Sequence, residues 1–440
     1  MRPLVILLIL IFAFSGEALL AQDKADTLKF NSLNEVVSLA IKNNPTQAVY
    51  QQQINQAKYN YKASKGFIYP SASGSFIGTD NLHLAVTPIP GELIGKPGTT
   101  FYAQFGKQFN YGTGITLGQD IIDWQSIFQA EIANNNIKLN ELQQDSYIQG
   151  LKDQVGKLYF STLTAKASLQ IINTDRLLAD SIVNLNRERF NEGTIDAIAL
   201  NQAIISANNV LQNQAQSQQL YDQSIENLKI LLGEKPENDP LLTESLNLES
   251  LSIDNNITLN NDKNLDVYKQ QIDIAGLQSK SQRSVAYPKL SASMYLGAQQ
   301  YRDNFGLSFS SNAWNPYRYI GLSLTVPIFT GFTNSNKYKS ALVQQNIAQL
   351  QYNSAKQQSE INDRLLIKNH NDYFDQVKAS ASNFKLYRSN LQLTKQKYLE
   401  GVIGMDVYLK AFQDYLTAEN LYLSNLSTLL STKATILSRQ

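Results

Sequence analysis

The sequence predicts an α-helical barrel joined to a transmembrane β-barrel, built mostly from long α-helices with four β-strands per protomer, internally duplicated and closed as a trimer of twelve strands. Three observations predict it. First, the chain repeats itself: Tyr69-Pro70 recurs as Tyr287-Pro288, Gly114-Ile115-Thr116-Leu117 as Gly321-Leu322-Ser323-Leu324, and Arg189-Phe190-Asn191-Glu192-Gly193 as Lys397-Tyr398-Leu399-Glu400-Gly401. A spacing of roughly 210 residues marks a duplicated domain, because solenoid units recur every 20 to 50 residues or so. Second, no proline interrupts the chain from Trp124 to Glu192 or from Gly331 to Glu400. At about 1.5 Å per residue each stretch makes a helix on the order of 100 Å long, which no compact domain requires. Third, segments of period-two alternation stand between the helices, the pattern of strands in a membrane barrel.

Taken in order, residues 1–21 read as a signal peptide. Arg2 supplies the charge, Leu4 to Phe14 form an apolar run shorter than the roughly 20 residues of a membrane helix, and Ala18 and Ala21 are the small residues near cleavage. The mature chain then starts near Gln22, outside the cytoplasm. A first repeat covers 22–232. Leu33 to Lys65 is helical by the spacing of Val36, Val37, Ala40, Ile41, Ile54 and Ala57, and Gly66 ends it. Strands come next near 67–80 and 104–122, parted by a Pro- and Gly-rich loop from Thr87 to Thr100. The long helix from Trp124 leads to a tip turn near 193 and a return helix, Asp196 to Leu232. Residues 233–262 form an irregular acidic linker containing Pro236 and Pro240.

The second repeat, 263–440, has a helix from Asn264 to Val285 and strands near 287–300 and 317–329. Its long helix reaches a tip turn near 401, and Asp406 to Leu437 ends the chain. Alternation is clearest here. Leu290, Ala292, Met294, Leu296 and Ala298 oppose Ser291, Ser293, Tyr295 and Gly297, while Ile320, Leu322 and Leu324 oppose Gly321, Ser323 and Thr325. A soluble half-buried hairpin shares this alternation, but helices of such length favour the membrane. Each repeat has about 70 residues between its last strand and its turn, so both tips should fall at one height, far from the strands. Four strands cannot close a membrane barrel, which takes about eight or more. Three copies under cyclic symmetry supply the ring.

Composition excludes several function classes. With 38 basic and 37 acidic residues the net charge is +1, which offers nothing to nucleic acid. Cysteine is absent, so there is no disulfide framework, thiolate metal site or lipidated cysteine, and the chain is read as not lipidated. His83 and His370 alone do not make a zinc site. Gly91 to Lys96 lacks the spacing of a phosphate loop and has Pro97 where Ser or Thr is needed, and Gly112-x-Gly114 with Gly118 lacks dinucleotide spacing. No nucleophile–base constellation appears, so the reading is no enzyme and no cofactor.

The Arg-Phe-x-x-Gly and Lys-Tyr-x-x-Gly turns, the paired halves, the Tyr-Pro strand openings and Val326-Pro327-Ile328-Phe329-Thr330-Gly331 resemble the TolC-type outer membrane efflux proteins, over essentially the whole mature chain. The resemblance implies a homotrimeric channel-tunnel among outer membrane lipid of a Gram-negative bacterium, extending into the periplasm. It implies an exit duct for efflux or type I secretion, recruited by a periplasmic adaptor (membrane fusion protein) and an inner-membrane transporter of RND, ABC or MFS type. The chain departs from the family where Asp120 stands in place of Pro327 and Trp124 in place of Gly331, so the two strand-to-helix corners should differ.

A conduit needs a wall and a gate. In the family the periplasmic aperture is held shut by inter-helix polar links and ringed by carboxylates after the second-half glycine. Here Asp406 is the only carboxylate between Gly401 and Ala411, and Lys410 stands where an acid is common. Three Asp406 around an axis would attract cations, and three Lys410 would oppose that. Asp196 is a second aperture candidate and equally a helix N-cap. Arg189, Lys397 and Tyr398 precede the turns, where cations are also ordinary helix caps. Gly193 and Gly401 should supply left-handed backbone. Glu192, Thr194, Leu399, Glu400 and Val402 are candidates for adaptor docking. Trp124 and Trp314, with Tyr69, Tyr317, Tyr319 and Phe329, suit aromatic belts at the membrane interfaces, or burial between protomers. The alternatives are a trimeric coiled-coil structural or adhesive envelope protein, which would need sustained heptads, and a periplasmic adaptor subunit, which would carry a soluble β-rich domain.

Overall fold

The structure, a computed structural model, describes residues 28–235, 237–244, 259 and 262–440. The signal peptide and most of the acidic linker lie outside the described residues. The chain divides into two compact units. One comprises Ala48–Tyr147 and Asn261–Asp363, and the other the described residues up to Gln47 with Ile148–Asn260 and Arg364–Gln440. Among the described residues no helix is long and apolar enough to cross a membrane.

The first unit carries the strands. An antiparallel sheet runs in the order β2 (Ser71–Asp80), β5 (Phe109–Ile122), β7 (Lys289–Arg302), β8 (Asn315–Thr325). Register partners share a face of the sheet. Leu117, Met294 and Ile320 are partners across three strands, as are Thr116, Tyr295 and Tyr319. The two faces therefore differ in character over the middle of the sheet, one mainly aliphatic and one mainly of Ser, Gly, Thr and Tyr. Among the described residues β2 and β8 are each paired on one side only. β8 stops at Thr325, short of the expected 329, because Pro327 has no N–H to give a ladder.

The stretch from Thr87 to Thr100, expected to be loop, is in part a hairpin. β3 (Val86–Pro90) pairs with β4 (Thr100–Gln104). Proline is tolerated because both strands of a two-stranded ribbon are edges, and Thr100, Phe101 and Tyr102 are good strand formers. Gly91 opens its turn, where a Cβ would lie 2.1 Å from the Lys96 carbonyl oxygen.

Helix α3 (Trp124–Asn191) runs unbroken for 68 residues and α6 (Thr333–Leu399) for 67, each contributing to both units. Their return helices are α4 (Ala197–Leu232) and α7 (Met405–Ser438). The helix expected over Leu33 to Lys65 is instead two, α1 (Leu33–Asn43) and α2 (Pro45–Ser64). Pro45 lacks the N–H that would continue it. Asn44 mends the break, donating from Nδ2 to the Leu231 carbonyl at 2.9 Å and accepting from the Thr46 N–H at 3.0 Å. A short parallel pair, β1 (Lys29–Phe30) with β6 (Leu241–Leu242), has no signal in the sequence and ties the stretch before α1 to the one after α4. The remaining helix is α5 (Lys263–Ser284).

Candidate functional site

The two tip turns are the same motif. Gly193 and Gly401 have φ of 72° and 73°. Around Gly193 the Thr194 N–H bonds the Arg189 carbonyl at 2.9 Å, and around Gly401 the Val402 N–H bonds the Lys397 carbonyl at 2.9 Å. These are the long bonds of a glycine-terminated Schellman ending, in which a left-handed residue satisfies carbonyls the helix leaves open.

Beyond the glycines the two turns differ. Asp196 accepts from the Ala199 N–H at 2.8 Å and caps α4. Gly404 occupies the equivalent place before α7 and has no side chain to cap with. A Cβ on Gly404 would lie 2.5 Å from Asp406 Oδ1, so the Asp406 carboxylate is folded back against this backbone while remaining exposed. Lys410 leans along α7 toward Asp414, at 3.7 Å. Lys397 is exposed, as are Glu192, Thr194, Leu399, Glu400 and Val402.

Arg189 reaches the other half of the chain. Its Nη2 donates to the Tyr398 and Leu399 carbonyls at 3.3 Å each, and its guanidinium lies 4.6 Å over the Tyr398 ring. It thus caps α6 rather than its own helix. The Tyr398 hydroxyl, in a side chain only 2% exposed, donates to Asn186 Oδ1 at 2.6 Å. Two polar links therefore join the ends of α3 and α6. Behind them runs an aromatic stack, Tyr398 on Tyr408 at 5.5 Å, Tyr408 on Phe412 at 6.3 Å and Phe412 on Tyr415 at 6.4 Å.

At the end of that stack sits a buried acid pair. Asp175 and Glu419 are each 3% exposed, and the Tyr415 hydroxyl donates to Asp175 Oδ1 at 3.0 Å. Burial raises both carboxyls, and a hydrogen bond between the two keeps a proton on Glu419, opposed by the Arg388 charge. Burial likewise pushes the Tyr408 and Tyr415 hydroxyls up. Sequence reasoning missed Asn186, Asp175 and Glu419. The spacing of Tyr408, Phe412, Tyr415 and Glu419 on one face of α7 was the available signal.

In the strand unit the two corners are built differently. After β5, Asp123 caps α3 through the Ser126 N–H at 3.2 Å and accepts from Lys289 Nζ at 2.8 Å, with Asp120 a second partner at 3.2 Å. After β8 the chain turns through Gly331 and Phe332, with φ of 58° and 62°. Phe329 packs edge-on to Phe332 at 5.6 Å. Tyr69 and Trp124 are exposed, and the Trp314 indole N–H donates to the Ser308 carbonyl at 2.9 Å. Tyr317 and Tyr319 lie on the Ser/Gly/Thr face, opposite the aliphatic one.

The duplicated helices, their Schellman tips and a two-faced sheet coincide with a family match. Residues 36–234 and 256–438 match the family described as "Outer membrane efflux protein". The chain belongs to that family. It is a helix-rich efflux protein of the outer membrane. Its fold is that of solved outer membrane channels. The CmeC channel of Campylobacter jejuni is similar with a TM-score of 0.75 at 18% identity, over 92% of this chain and 85% of that one. A membrane protein of Pseudomonas aeruginosa gives 0.74 at 16%, over 94% and 91%. The outer membrane protein VceC of Vibrio cholerae gives 0.71 at 14%, over 92% and 95%. No curated protein sequence matches the chain. In this efflux protein the residues singled out from sequence thus occupy two places, the α3–α4 and α6–α7 turns and the sheet with its corners.

Proposed function

We propose that three copies of this efflux protein close a passive exit duct, with a twelve-stranded barrel in the outer membrane of a Gram-negative bacterium and helices reaching into the periplasm. The aliphatic face of the sheet would meet lipid and the small-residue face would line the duct. A periplasmic adaptor and an inner-membrane transporter would recruit it for efflux or type I secretion. The observation that carries the reading is the four-stranded sheet, aliphatic on one face and small and polar on the other, with β2 and β8 open at its edges. In lipid such edges must be paired, and four strands are too few to close alone. Pairing β8 of one copy with β2 of the next satisfies both. Light scattering on detergent-extracted protein, corrected for bound detergent, should give a trimer. A stable monomer would leave the edges open and end this reading.

The turns supply the periplasmic aperture in this proposal. Arg189, Tyr398 and Asn186 would hold it closed, and Glu192, Thr194, Leu399, Glu400 and Val402 would meet the adaptor. Asp406 would line the entrance, with its charge little offset because Lys410 is turned to Asp414. Replacing Asp406 by Ala is expected to lower cation conductance about twofold or more and to weaken block by divalent cations, as removal of a carboxylate ring does. Bilayer recordings with unaltered conductance and unaltered block would take Asp406 out of the pore.

A further inference from the structure

The small-residue face of the sheet carries one feature out of keeping with the rest. Ser73, Ser75, Gly118, Ser293 and Gly321 set its character, yet Tyr295, Tyr317 and Tyr319 stand together on it. Each ring centroid lies 5.7 Å from the other two. Tyr295 is laid flat on glycine. A Cβ at Gly114 would come 2.6 Å from its ring, and a Cβ at Gly297 2.5 Å from its hydroxyl. Gly114 and Gly297 are register partners, so two strands cooperate in making the bed. The Tyr295 hydroxyl donates to the Thr113 carbonyl at 3.3 Å, which fixes the ring against the wall. Tyr317 and Tyr319 keep 48% and 45% of their surface open.

Among the described residues the four strands carry no charge at this level of the face. The register partners just beyond the cluster are Ser293 with Gly321 on one side and Gln299 with Asn315 on the other. Arg318 belongs to the aliphatic face, as the partner of Leu296. Lys289 is paired with Asp120 and Asp123 at the far end of its strand. A wall without cations, presenting electron-rich ring faces, attracts flat molecules that carry positive charge, since aromatic faces are the negative part of the ring quadrupole.

We propose that Tyr295, Tyr317 and Tyr319 form a binding step for planar aromatic cations on the inner wall of the barrel. The proposal rests on the proposed duct, with its small-residue face turned inward. Three copies would place three such steps around one lumen, where a cargo molecule can stack and be handed on.

The test uses the full-length protein in planar bilayers, with N-methylacridinium as the aromatic probe and tetraethylammonium as a cation without a ring. The acridinium should block the wild-type current. Tyr317→Leu with Tyr319→Leu should weaken that block at least tenfold and leave tetraethylammonium block as it was. Tyr317→Phe with Tyr319→Phe should retain acridinium block, because stacking needs the ring and not the hydroxyl. Absence of acridinium block in the wild type, or equal block in the Leu variant, overturns the proposal. The lining itself is tested separately. This chain has no cysteine, so Ser293→Cys should react with a charged, water-soluble thiol reagent while Leu322→Cys in lipid is spared. The reverse pattern would overturn the lining and the tyrosine step together, whereas a labelled Ser293→Cys with no acridinium effect would overturn the tyrosine step alone.

Discussion

Replacing Glu419 by Gln is expected to stabilise the helical unit at alkaline pH and to flatten its dependence on pH. Glu419 on α7 and Asp175 on α3 are buried against each other, and the pair keeps a proton that two separate carboxylates in water would release. Burial is the main cause for both, and the charge of Arg388 on α6 is too weak an opponent to reverse it. The Glu419 carboxyl is pushed up to about 9 from an ordinary value of 4.5. The folded chain therefore binds more protons than the unfolded chain across that window. By linkage, this group's contribution is full below the unfolded value and is lost as pH rises toward the folded one. Gln offers an N–H in place of the carboxyl O–H and has no proton to lose. The gain at pH 8 should be on the order of 2 kcal/mol, since each tenfold change in proton affinity corresponds to about 1.4 kcal/mol and a helix bundle relaxes around a charged group. Helix melting of the detergent-solubilised protein, followed by circular dichroism at pH 5.5 and 8.5, reads it directly. Wild type and Glu419→Gln losing stability in parallel over that range would sink the shared-proton account.

A change at Tyr398 is expected to have the largest cost. The ring is buried, stacked on Tyr408 and covered by Arg189, and its hydroxyl is the partner of buried Asn186. Tyr398→Ala removes the ring and opens a cavity, at about 3–5 kcal/mol. Tyr398→Phe keeps the ring and strands the Asn186 oxygen, at about 1–3 kcal/mol. A double change of Tyr398→Phe with Asn186→Leu removes both partners and should recover part of that loss. Denaturant melts of wild type, the two single variants Tyr398→Phe and Asn186→Leu, and the double variant form the cycle. If the links also hold the aperture closed, as proposed, Tyr398→Phe should raise resting conductance in bilayers. A Phe variant as stable and as closed as wild type would show that the hydroxyl bond contributes nothing.

Much of the architecture is legible because it is written in local terms. Freedom from proline over about 70 residues, period-two alternation and a repeated glycine are each properties of neighbouring residues. The β3–β4 hairpin escapes a sequence reading because Pro88, Pro90 and Gly91 look like loop, although an edge ribbon accepts them. The pairing of β1 with β6 escapes it because two-residue strands carry no period. At the tips, sequence leaves Asp196 open between aperture and cap, and its bond to Ala199 makes it a cap in this chain. Arg189 is recognisable as a helix-end cation, but not as one that serves a helix in the other repeat. Asp175 looks like a surface acid in its helical window. The aromatic spacing on α7 points Glu419 inward, but only packing of α3 against α7 brings Asp175 to it, and packing between distant segments is what a sequence pattern does not encode.

The open flanks of the sheet also bear on how the protein is made. A newly exported copy holding β2 and β8 unpaired offers two templates for strand addition, and any other copy fits either one. Pairing that closes among three partners is chemically the same as pairing that runs on into an open array. In the proposed ring, assembly would then be a competition between closure of three copies and continued strand addition, and slow delivery of copies to lipid would favour closure. Crowding would work against the proposed ring, because an open flank would then meet a further copy before three had closed.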